Sequence, residues 1–294
     1  MKQLTIISGK GGTGKTTVTA AFAHLAEHAV IADCDVDAAD LHLILTPDII
    51  RQEPFYGGQL PSIDYERCTR CGLCEQQCRF GAIQSAKVDP VSCEGCGVCA
   101  YVCPEKAISM KERLSGNWFL SETREGPMVH ARLGIAAENS GKLVSIVRQQ
   151  AKELAEKEKK NLVIIDGPPG IGCPVIASIG GVNLVLIVTE PTLSGIHDFK
   201  RILEVANHFN IPAMVCVNKC DINAENTRAI EGYCEEKGIA IAGNIPYAPE
   251  VTKAMLNGLS VVEYPCAEVT SEVKRIWRKV EERLFGANNE QCTF

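Results

Sequence analysis

Long apolar runs are missing from this sequence. No segment approaches the roughly 20 consecutive apolar residues that a membrane-spanning helix needs, and Met1-Lys2-Gln3 leads into the first apolar run without the h-region of a secretory leader. The expectation is a cytoplasmic chain without a membrane partner. Positive charge is also short, with 30 Lys and Arg against 36 Asp and Glu and a formal net charge of −6. No basic stripe is legible, which argues against non-specific nucleic-acid binding, since that needs lysine and arginine to neutralise phosphates. Cysteine shows the opposite bias. Fifteen of the 294 residues are Cys, but eight fall at metal-ligand spacing rather than in the pattern of a small disulfide scaffold, which predicts a reducing compartment. The 46% of hydrophobic residues suffices for a sizeable core in one large or two medium domains.

The apolar run Leu4-Thr5-Ile6-Ile7 is followed by Ser8-Gly9-Lys10-Gly11-Gly12-Thr13-Gly14-Lys15-Thr16-Thr17 and then by an alanine-rich helical pattern to His28. Gly9, Gly14, Lys15 and Thr16 complete the phosphate-loop pattern, in which glycines let successive N–H groups curl around an anion at a helix N-terminus. Lys15 is expected to reach the β- and γ-phosphates and the Thr16 hydroxyl to hold Mg²⁺. A second strand, Ala29 to Ala32, ends in Asp33-Cys34-Asp35-Val36-Asp37. Carboxylates at that strand end sit where Mg²⁺ and the attacking water belong. A third strand, Leu162 to Ile165, is apolar throughout, as a central parallel strand should be, and ends in Asp166-Gly167-Pro168-Pro169-Gly170. Asp166 is placed to bind Mg²⁺ through water.

The early lysine in Lys10-Gly11-Gly12-Thr13-Gly14-Lys15-Thr16-Thr17 makes the loop resemble that of the deviant Walker ATPases, the family of MinD, ParA, Mrp and the nitrogenase iron protein. The resemblance implies that Lys10 crosses a dimer interface to the partner's nucleotide, like an arginine finger, a contact worth roughly 10³ to 10⁵ in rate; an isolated monomer is then a slow ATPase. It also implies that Asp35 orients or activates water, that Asp33 supports the metal, that Asp37 and Asp40 lie in a first switch, and that Gly167-Pro168-Pro169-Gly170 forms a second. Asn218-Lys219-Cys220-Asp221 fits the guanine-reading N-K-x-D of GTPases. The resemblance favours ATP, with Asn218 on the base edge and Pro246 and Tyr247 in a loop over the base, and GTP stays open.

After Thr46-Pro47 the pattern changes, and Pro54, Gly57, Gly58 and Pro61 read as a boundary. Cys68-x₂-Cys71-x₂-Cys74-x₃-Cys78 follows, then Cys93-x₂-Cys96-x₂-Cys99-x₃-Cys103-Pro104. This internal repeat has the spacing of bacterial two-cluster ferredoxins, in which the fourth cysteine of each run ligates the other cluster. Structural zinc sites more often use two separated pairs. Carried over from those ferredoxins, Cys68, Cys71, Cys74 and Cys103 hold one [4Fe–4S] cluster, and Cys78, Cys93, Cys96 and Cys99 the other. Arg79 stands where the second run has Pro104, a change expected to tune a potential. Cys173 follows Asp166 at a spacing similar to that of the bridging ligand of the nitrogenase iron protein; it is a candidate extra ligand across a dimer or a plain buried thiol.

Alternating strands and helices predict a doubly wound, mainly parallel α/β sheet: a phosphate-loop domain over residues 1–56 and 112–294, interrupted by a small α+β ferredoxin-like domain over 57–111. Asn117–Ser121 and Pro127–Arg132 read as short strands, and Asn139 opens a helix. Arg124, Arg132 and Lys142 read as solvated. The basic, amphipathic Val273–Val280 reads as part of a packed terminal helix. The expected cofactors are ATP, Mg²⁺ and two [4Fe–4S] clusters. The expected partners are a second copy or a paralogous ATPase, plus a redox or metallocluster protein. Three functions fit: a nucleotide-gated electron carrier, favoured by full ligand sets; a Mrp-like factor that assembles or delivers clusters; and a positioning ATPase whose clusters sense redox state.

Overall fold

The computed structural model describes residues 1–134 and 140–286; Asn139, read as opening a helix, lies outside them, as does Cys292. The chain divides into two compact units, one made of Met1–Gln52, Trp118–Ala131 and Gly141–Phe294, the other of Glu53–Asn117 and Arg132–Ser140.

In the first unit, β1 (Lys2–Ser8) leads through the glycine turn into α1 (Lys15–Leu25), and β2 (Ala29–Asp33) into the short α2 (Leu41–Leu45). β3 (Asp48–Ile63) carries the chain into the second unit, where α3 (Leu73–Gln76), β4 (Ile83–Gln84), β5 (Lys87–Val88) and α4 (Val98–Val102) follow. β6 (Ile108–Thr123) returns to the first unit and turns into β7 (Gly126–Leu133). The rest alternates: α5 (Ser140–Lys157), β8 (Leu162–Pro169), α6 (Cys173–Ile179), β9 (Leu184–Thr189), α7 (Leu193–His208), β10 (Ala213–Asn218), α8 (Ala224–Lys237), β11 (Ala240–Ile245), α9 (Pro249–Leu256) and α10 (Ala267–Phe285).

The sheet order is β11-β10-β9-β1-β8-β2-β7-β6-β3. β1 pairs in parallel with both β8 and β9, and β2 with β8 and β7, so the first strand lies at the centre, where the order reverses. β2 and β9 are buried along their whole length, and β1 and β8 along most of theirs. Runs of Ile, Val and Leu suit strands covered by helices on both faces. One face buries α1 and α10: Phe22 and Trp277 meet with ring centroids 4.9 Å apart. Val269, Val273, Ile276, Val280 and Leu284 follow the helical period into the same core. The apolar face of Val273–Val280 is thus occupied by packing, as expected of a packed terminal helix. Among the described residues no helix is long and apolar enough to cross a membrane.

The boundary read at Pro54, Gly57, Gly58 and Pro61 falls beside the division between the units at Gln52 and Glu53, and these residues lie within the 16-residue β3, which runs across it. β3 is the terminal strand of the order, and a proline without an N–H is tolerated where one side has no ladder to complete. The short strand at Asn117–Ser121 is part of the longer β6. Arg124 is not a free surface residue: its guanidinium makes a two-pronged pair with Glu263 at 2.8 and 2.9 Å and donates to the Ile44 and Gly258 carbonyls.

In the second unit the sequence repeat becomes a backbone repeat. Gly72 and Gly97 precede α3 and α4 with φ of 77° and 75°. Arg70 and Gly95 share a left-handed conformation, as do Gly81 and Lys106. At position 95 only glycine fits, since a Cβ would lie 2.6 Å from the Gln59 carbonyl oxygen. β4 and β5 pair antiparallel through Ile83 and Val88, and a small core of Ile83, Cys99 and Ile108 packs with Ile63, Cys74, Cys78 and Cys103.

Candidate functional site

The phosphate loop begins where β1 ends. Gly9 is obligatory by space, because a Cβ there would lie 2.4 Å from that of Asp198. Gly14 has φ of 95° and a Cβ there would meet the Asn218 amide nitrogen at 2.3 Å. The loop thus brings the start of α1 against the end of β10, and Asn218 Nδ2 donates to the Thr13 carbonyl at 2.8 Å. Lys15 is buried, with Nζ 3.8 Å from Asp35 Oδ2.

Strand register brings the carboxylates together. Asp33 and Asp166 are paired positions on the neighbouring β2 and β8, and both are buried. Asp166 accepts from Thr16 Oγ1 at 2.8 Å and from Thr19 Oγ1 at 2.9 Å. Thr19 was not among the expected site residues; it lies one turn beyond Lys15 on the same helix face, a relation that the phosphate-loop pattern does not encode. Asp33 Oδ1 accepts the Asp35 N–H at 3.1 Å, while its Oδ2 is buried without a partner. Burial, then the negative field of Asp166, pushes the Asp33 carboxyl well above its ordinary pKa. Burial likewise raises Asp166 against the opposing pull of Lys15. Asp35 is raised to about 6, by burial first, with Asp166, Asp37 and Asp40 adding to it and Lys15 opposing. An acidic group this concentrated, beside one buried lysine and with an oxygen left over, has the donor set for Mg²⁺ held by hard oxygens. The unpartnered buried Thr13 hydroxyl is a further polar atom available in the loop.

A cavity of about 380 Å³ opens over the loop, lined by Gly11, Gly12, Gly14, Lys15, Thr16, Thr17, Asp35 and Asp40 on one side. Asn218, Pro246, Tyr247, Val251 and Met255 line the other. The structure therefore collects most of the phosphate-binding candidates, Asp35 and Asp40, and the base-covering candidates around one space, while Gly9, Lys10, Thr13, Asp33 and Asp166 do not line it. It adds α9, whose Val251 and Met255 carry no sequence signature beyond helical spacing.

Lys10 points elsewhere in the single chain. Its Nζ lies 2.5 Å from Glu190 Oε1, 3.0 Å from Ser194 Oγ and 3.3 Å from Thr192 Oγ1. Glu190 also meets Lys219 Nζ at 3.2 Å. Burial works to raise the Glu190 carboxyl, but the two lysines outweigh it and hold the pKa below the usual range.

The cysteine runs of the second unit surround two separate spaces. Cys68, Cys71, Cys74 and Cys103 line a cavity of about 290 Å³, together with Arg70, Glu75 and Glu105. Cys78, Cys93, Cys96 and Cys99 line a tighter one of about 20 Å³ with Pro61, Phe80, Ile83 and Val98. In each case the fourth cysteine of one run joins three of the other. All eight are free thiols, and the Ala107 N–H donates to Cys103 Sγ at 3.3 Å, the kind of backbone contact that tunes cluster sulfur. Four soft sulfur donors per space suit an iron–sulfur cluster better than a hard cation.

Cys173 is exposed at the first residue of α6 and lines none of these cavities. Cys34, Cys216, Cys234 and Cys266 are buried, and Cys220 partly so. One further group, His24, Glu125 and Glu263, brings possible metal-ligand atoms within 4.8 Å of one another. Arg124 Nε already sits 2.8 Å from Glu263 and 3.3 Å from Glu125, so an arginine supplies the positive charge there.

Comparison with known proteins agrees with this architecture. The chain is 34% identical over 285 residues to an uncharacterised protein of Methanocaldococcus jannaschii, covering 95% of this chain and 96% of that one. It is 23% identical over 302 residues to an iron-sulfur cluster carrier protein of Pyrococcus abyssi, covering 95% and 87%. Among solved structures, the septum site-determining protein MinD complexed with Mg-ADP from Pyrococcus horikoshii superposes with a TM-score of 0.61 at 18% identity, covering 96% of each chain. With residues 4–261 matching it, the chain belongs to the CobQ/CobB/MinD/ParA nucleotide-binding domain family.

Proposed function

We propose that this protein is an ATP-hydrolysing iron–sulfur protein in which nucleotide-driven dimer switching is coupled to electron transfer through two [4Fe–4S] clusters to a partner protein. One observation carries the reading: a single chain holds a phosphate loop facing convergent carboxylates and, in its second unit, two cavities each ringed by four free cysteines.

In the nucleotide site, the loop N–H groups and Lys15 bind and orient the phosphates. Thr16, Asp33 and Asp166 would hold Mg²⁺, which when bound offsets phosphate charge and polarises the γ-phosphoryl group. Asp35 lines the cavity beside Lys15 and is ionised above about pH 6; its carboxylate orients the attacking water and takes up its proton. Pro246, Tyr247, Val251 and Met255 cover the base. Lys10 completes the site of a second copy, or of a paralogous ATPase, once it leaves Glu190. In the second unit the two quartets would each hold one cluster, a one-electron donor and acceptor when bound. The chain's own contribution there is to fix the sulfur positions, through the left-handed turns at Arg70 and Gly95, and to set the surroundings of each site.

The test is an anaerobic redox titration followed by electron paramagnetic resonance, with and without Mg-ATP. The expected result is iron in both quartets and a midpoint potential that moves when nucleotide is added. Iron-free protein, or potentials indifferent to nucleotide, refutes the coupling.

A second reading, cluster delivery, is favoured by the exposure of Cys71 and Cys96, one in each quartet, and of Cys173. The name of the Pyrococcus abyssi relative points the same way. In that case nucleotide releases iron and sulfide to an apo-acceptor with no change in potential, and Cys173→Ser lowers the iron content of the dimer.

A further inference from the structure

The internal repeat of the second unit sets two sulfur quartets side by side for comparison. Residues 66–83 and 91–108 correspond through their cysteines, so each position beside one quartet has a counterpart beside the other. Phe80 lines the space of Cys78, Cys93, Cys96 and Cys99; its counterpart Glu105 lines the space of Cys68, Cys71, Cys74 and Cys103. Tyr101 corresponds to Gln76, Val91 to Glu66 and Arg79 to Pro104. All of these residues are exposed. At matched positions, then, one quartet is fringed by aromatic and apolar side chains and the other by polar and charged ones.

Phe80 and Val98 line the second space and remain exposed at its edge. Tyr101 stands one turn beyond Val98 on the same face of α4 and is 91% exposed. The Arg79 guanidinium lies over the Phe80 ring, 5.5 Å from its centroid, and makes no ion pair among the described residues. Glu94, the one charged residue among the described lining of this space, is engaged within the chain. Around the first space stand Arg70, Glu75 and Glu105. A protein covering the first quartet must strip water from those charges, which is costly unless each finds a partner. A protein covering the second makes apolar and aromatic contact, the composition of an interface core, and finds Arg79 free to pair with a carboxylate.

We propose that Phe80, Val98, Tyr101 and Arg79 form the docking face for a one-electron redox protein that presents an apolar centre with carboxylates beside it, and that electrons leave through the quartet of Cys78, Cys93, Cys96 and Cys99. This rests on the reading of both quartets as electron-carrying iron–sulfur sites. One electron leaves the iron of this quartet and one is gained by the partner's centre, with no bond made or broken and no proton moved. Cys96 is the exposed cysteine of the quartet, so the docked protein reaches a ligand sulfur directly.

The test uses full-length, anaerobically reconstituted protein and, as probe, an acidic plastocyanin, a copper protein with an apolar face and neighbouring carboxylates that takes up one electron without a proton. Nuclear magnetic resonance titration of copper(I) plastocyanin, which cannot accept an electron, reads the dissociation constant. Stopped-flow mixing of copper(II) plastocyanin with protein that has been reduced and freed of reductant reads the second-order rate. Tyr101→Ala should weaken binding about five- to tenfold, the loss of an aromatic anchor. Arg79→Glu should weaken it about tenfold at low salt, an effect that fades as salt rises. The rates should fall by the same factors. Gln76→Ala and Glu105→Gln, the counterparts of Tyr101 and Phe80 at the first quartet, should leave both quantities within about twofold of wild type. Iron content and electron paramagnetic resonance spectra should be unchanged in all four variants, which shows that both quartets are loaded. Wild type that does not bind plastocyanin, Tyr101 and Arg79 variants that bind as wild type does, or equal losses at Gln76 and Glu105 overturn the inference. Protein that takes up no iron in either quartet refutes instead the reading beneath it.

Discussion

Replacing Glu190 by Gln should tighten the ATP-dependent dimer. In the single chain Lys10 Nζ lies 2.5 Å from Glu190, and the two side chains are 29% and 12% exposed. A charge-assisted bond in this partly shielded setting contributes about 1–2 kcal/mol, below the value for a buried pair because Lys10 is still reached by water. At about 1.4 kcal/mol per factor of ten, neutralising Glu190 raises the fraction of chains with Lys10 released roughly 5- to 30-fold. Each partner contributes one lysine, so the apparent dimer Kd should fall by about the square of that factor until the released state dominates, some 25-fold at the low end. Ser194 and Thr192 remain as neutral acceptors and do not restore the lost charge. Sedimentation equilibrium with Mg-ATP, in an Asp35→Asn background that blocks turnover, reads the constant. Glu190 also holds Lys219, so Lys219→Met is needed to separate the two effects. An unchanged Kd, or the same tightening when Lys10 is already Gln, refutes the idea that an in-chain carboxylate holds back the lysine that the second copy requires.

Three other outcomes follow from the same geometry. Cys103→Ser should remove the same cluster signal as Cys68→Ser, and Cys78→Ser the other, each lowering bound iron by about half; spectra in which Cys103→Ser affects the cluster of its own run contradict the crossover. Hydrolysis should rise with pH through about 6, because the carboxyl of Asp35, raised by burial, is protonated below that value and cannot accept a proton; the pH–rate profile shows this limb, and its absence argues against Asp35 as the base. Glu263 is held at about 2: burial works to raise it, but the Arg124 guanidinium and the Ser260 N–H outweigh that. A depressed carboxylate stabilises the folded chain above its unfolded pKa and loses that contribution as pH falls from about 4.5 through about 2. Since Arg124, the partner of Glu263, is 32% exposed, solvent screening discounts the effect to about 1 kcal/mol. Urea midpoints for wild type and Glu263→Gln should therefore differ at pH 7 and converge at pH 2.

Much of the nucleotide site was legible because its chemistry is local. The glycines around Lys15 and Thr16 act within a ten-residue turn, and the cysteine spacings encode turns that place three sulfurs around one space. What escaped depends on sheet order. Glu190 lies just past the end of β9 and Lys10 just past the end of β1, and they meet because β9 is the neighbour of β1, a fact no local pattern contains. Thr19 reaches Asp166 for the same reason, through the pairing of β1 with β8. Pro54 and Pro61 marked the division between the units but not that one strand runs across it, which a proline tolerates because β3 ends the order.

Arg124 suggests how a change at the phosphates would be felt along the chain. Asp35 and Asp40 line the nucleotide cavity, and α2 follows Asp40 directly. The Ile44 carbonyl, in the last turn of α2, accepts from Arg124 Nη1 at 2.9 Å. Arg124 stands in the turn that ends β6, and β6 begins at Ile108, five residues after Cys103. β3, three residues after α2, leads toward Cys68. α2 is thus linked to both strands that bound the cysteine-rich segment, to one by chain connection and to the other through a guanidinium. If this is the route, Arg124→Gln, which keeps one donor but loses the two-pronged pair with Glu263, should leave hydrolysis within about threefold of wild type while weakening the nucleotide-dependent shift in cluster potential; a full shift in the variant would mean that the coupling runs through other residues.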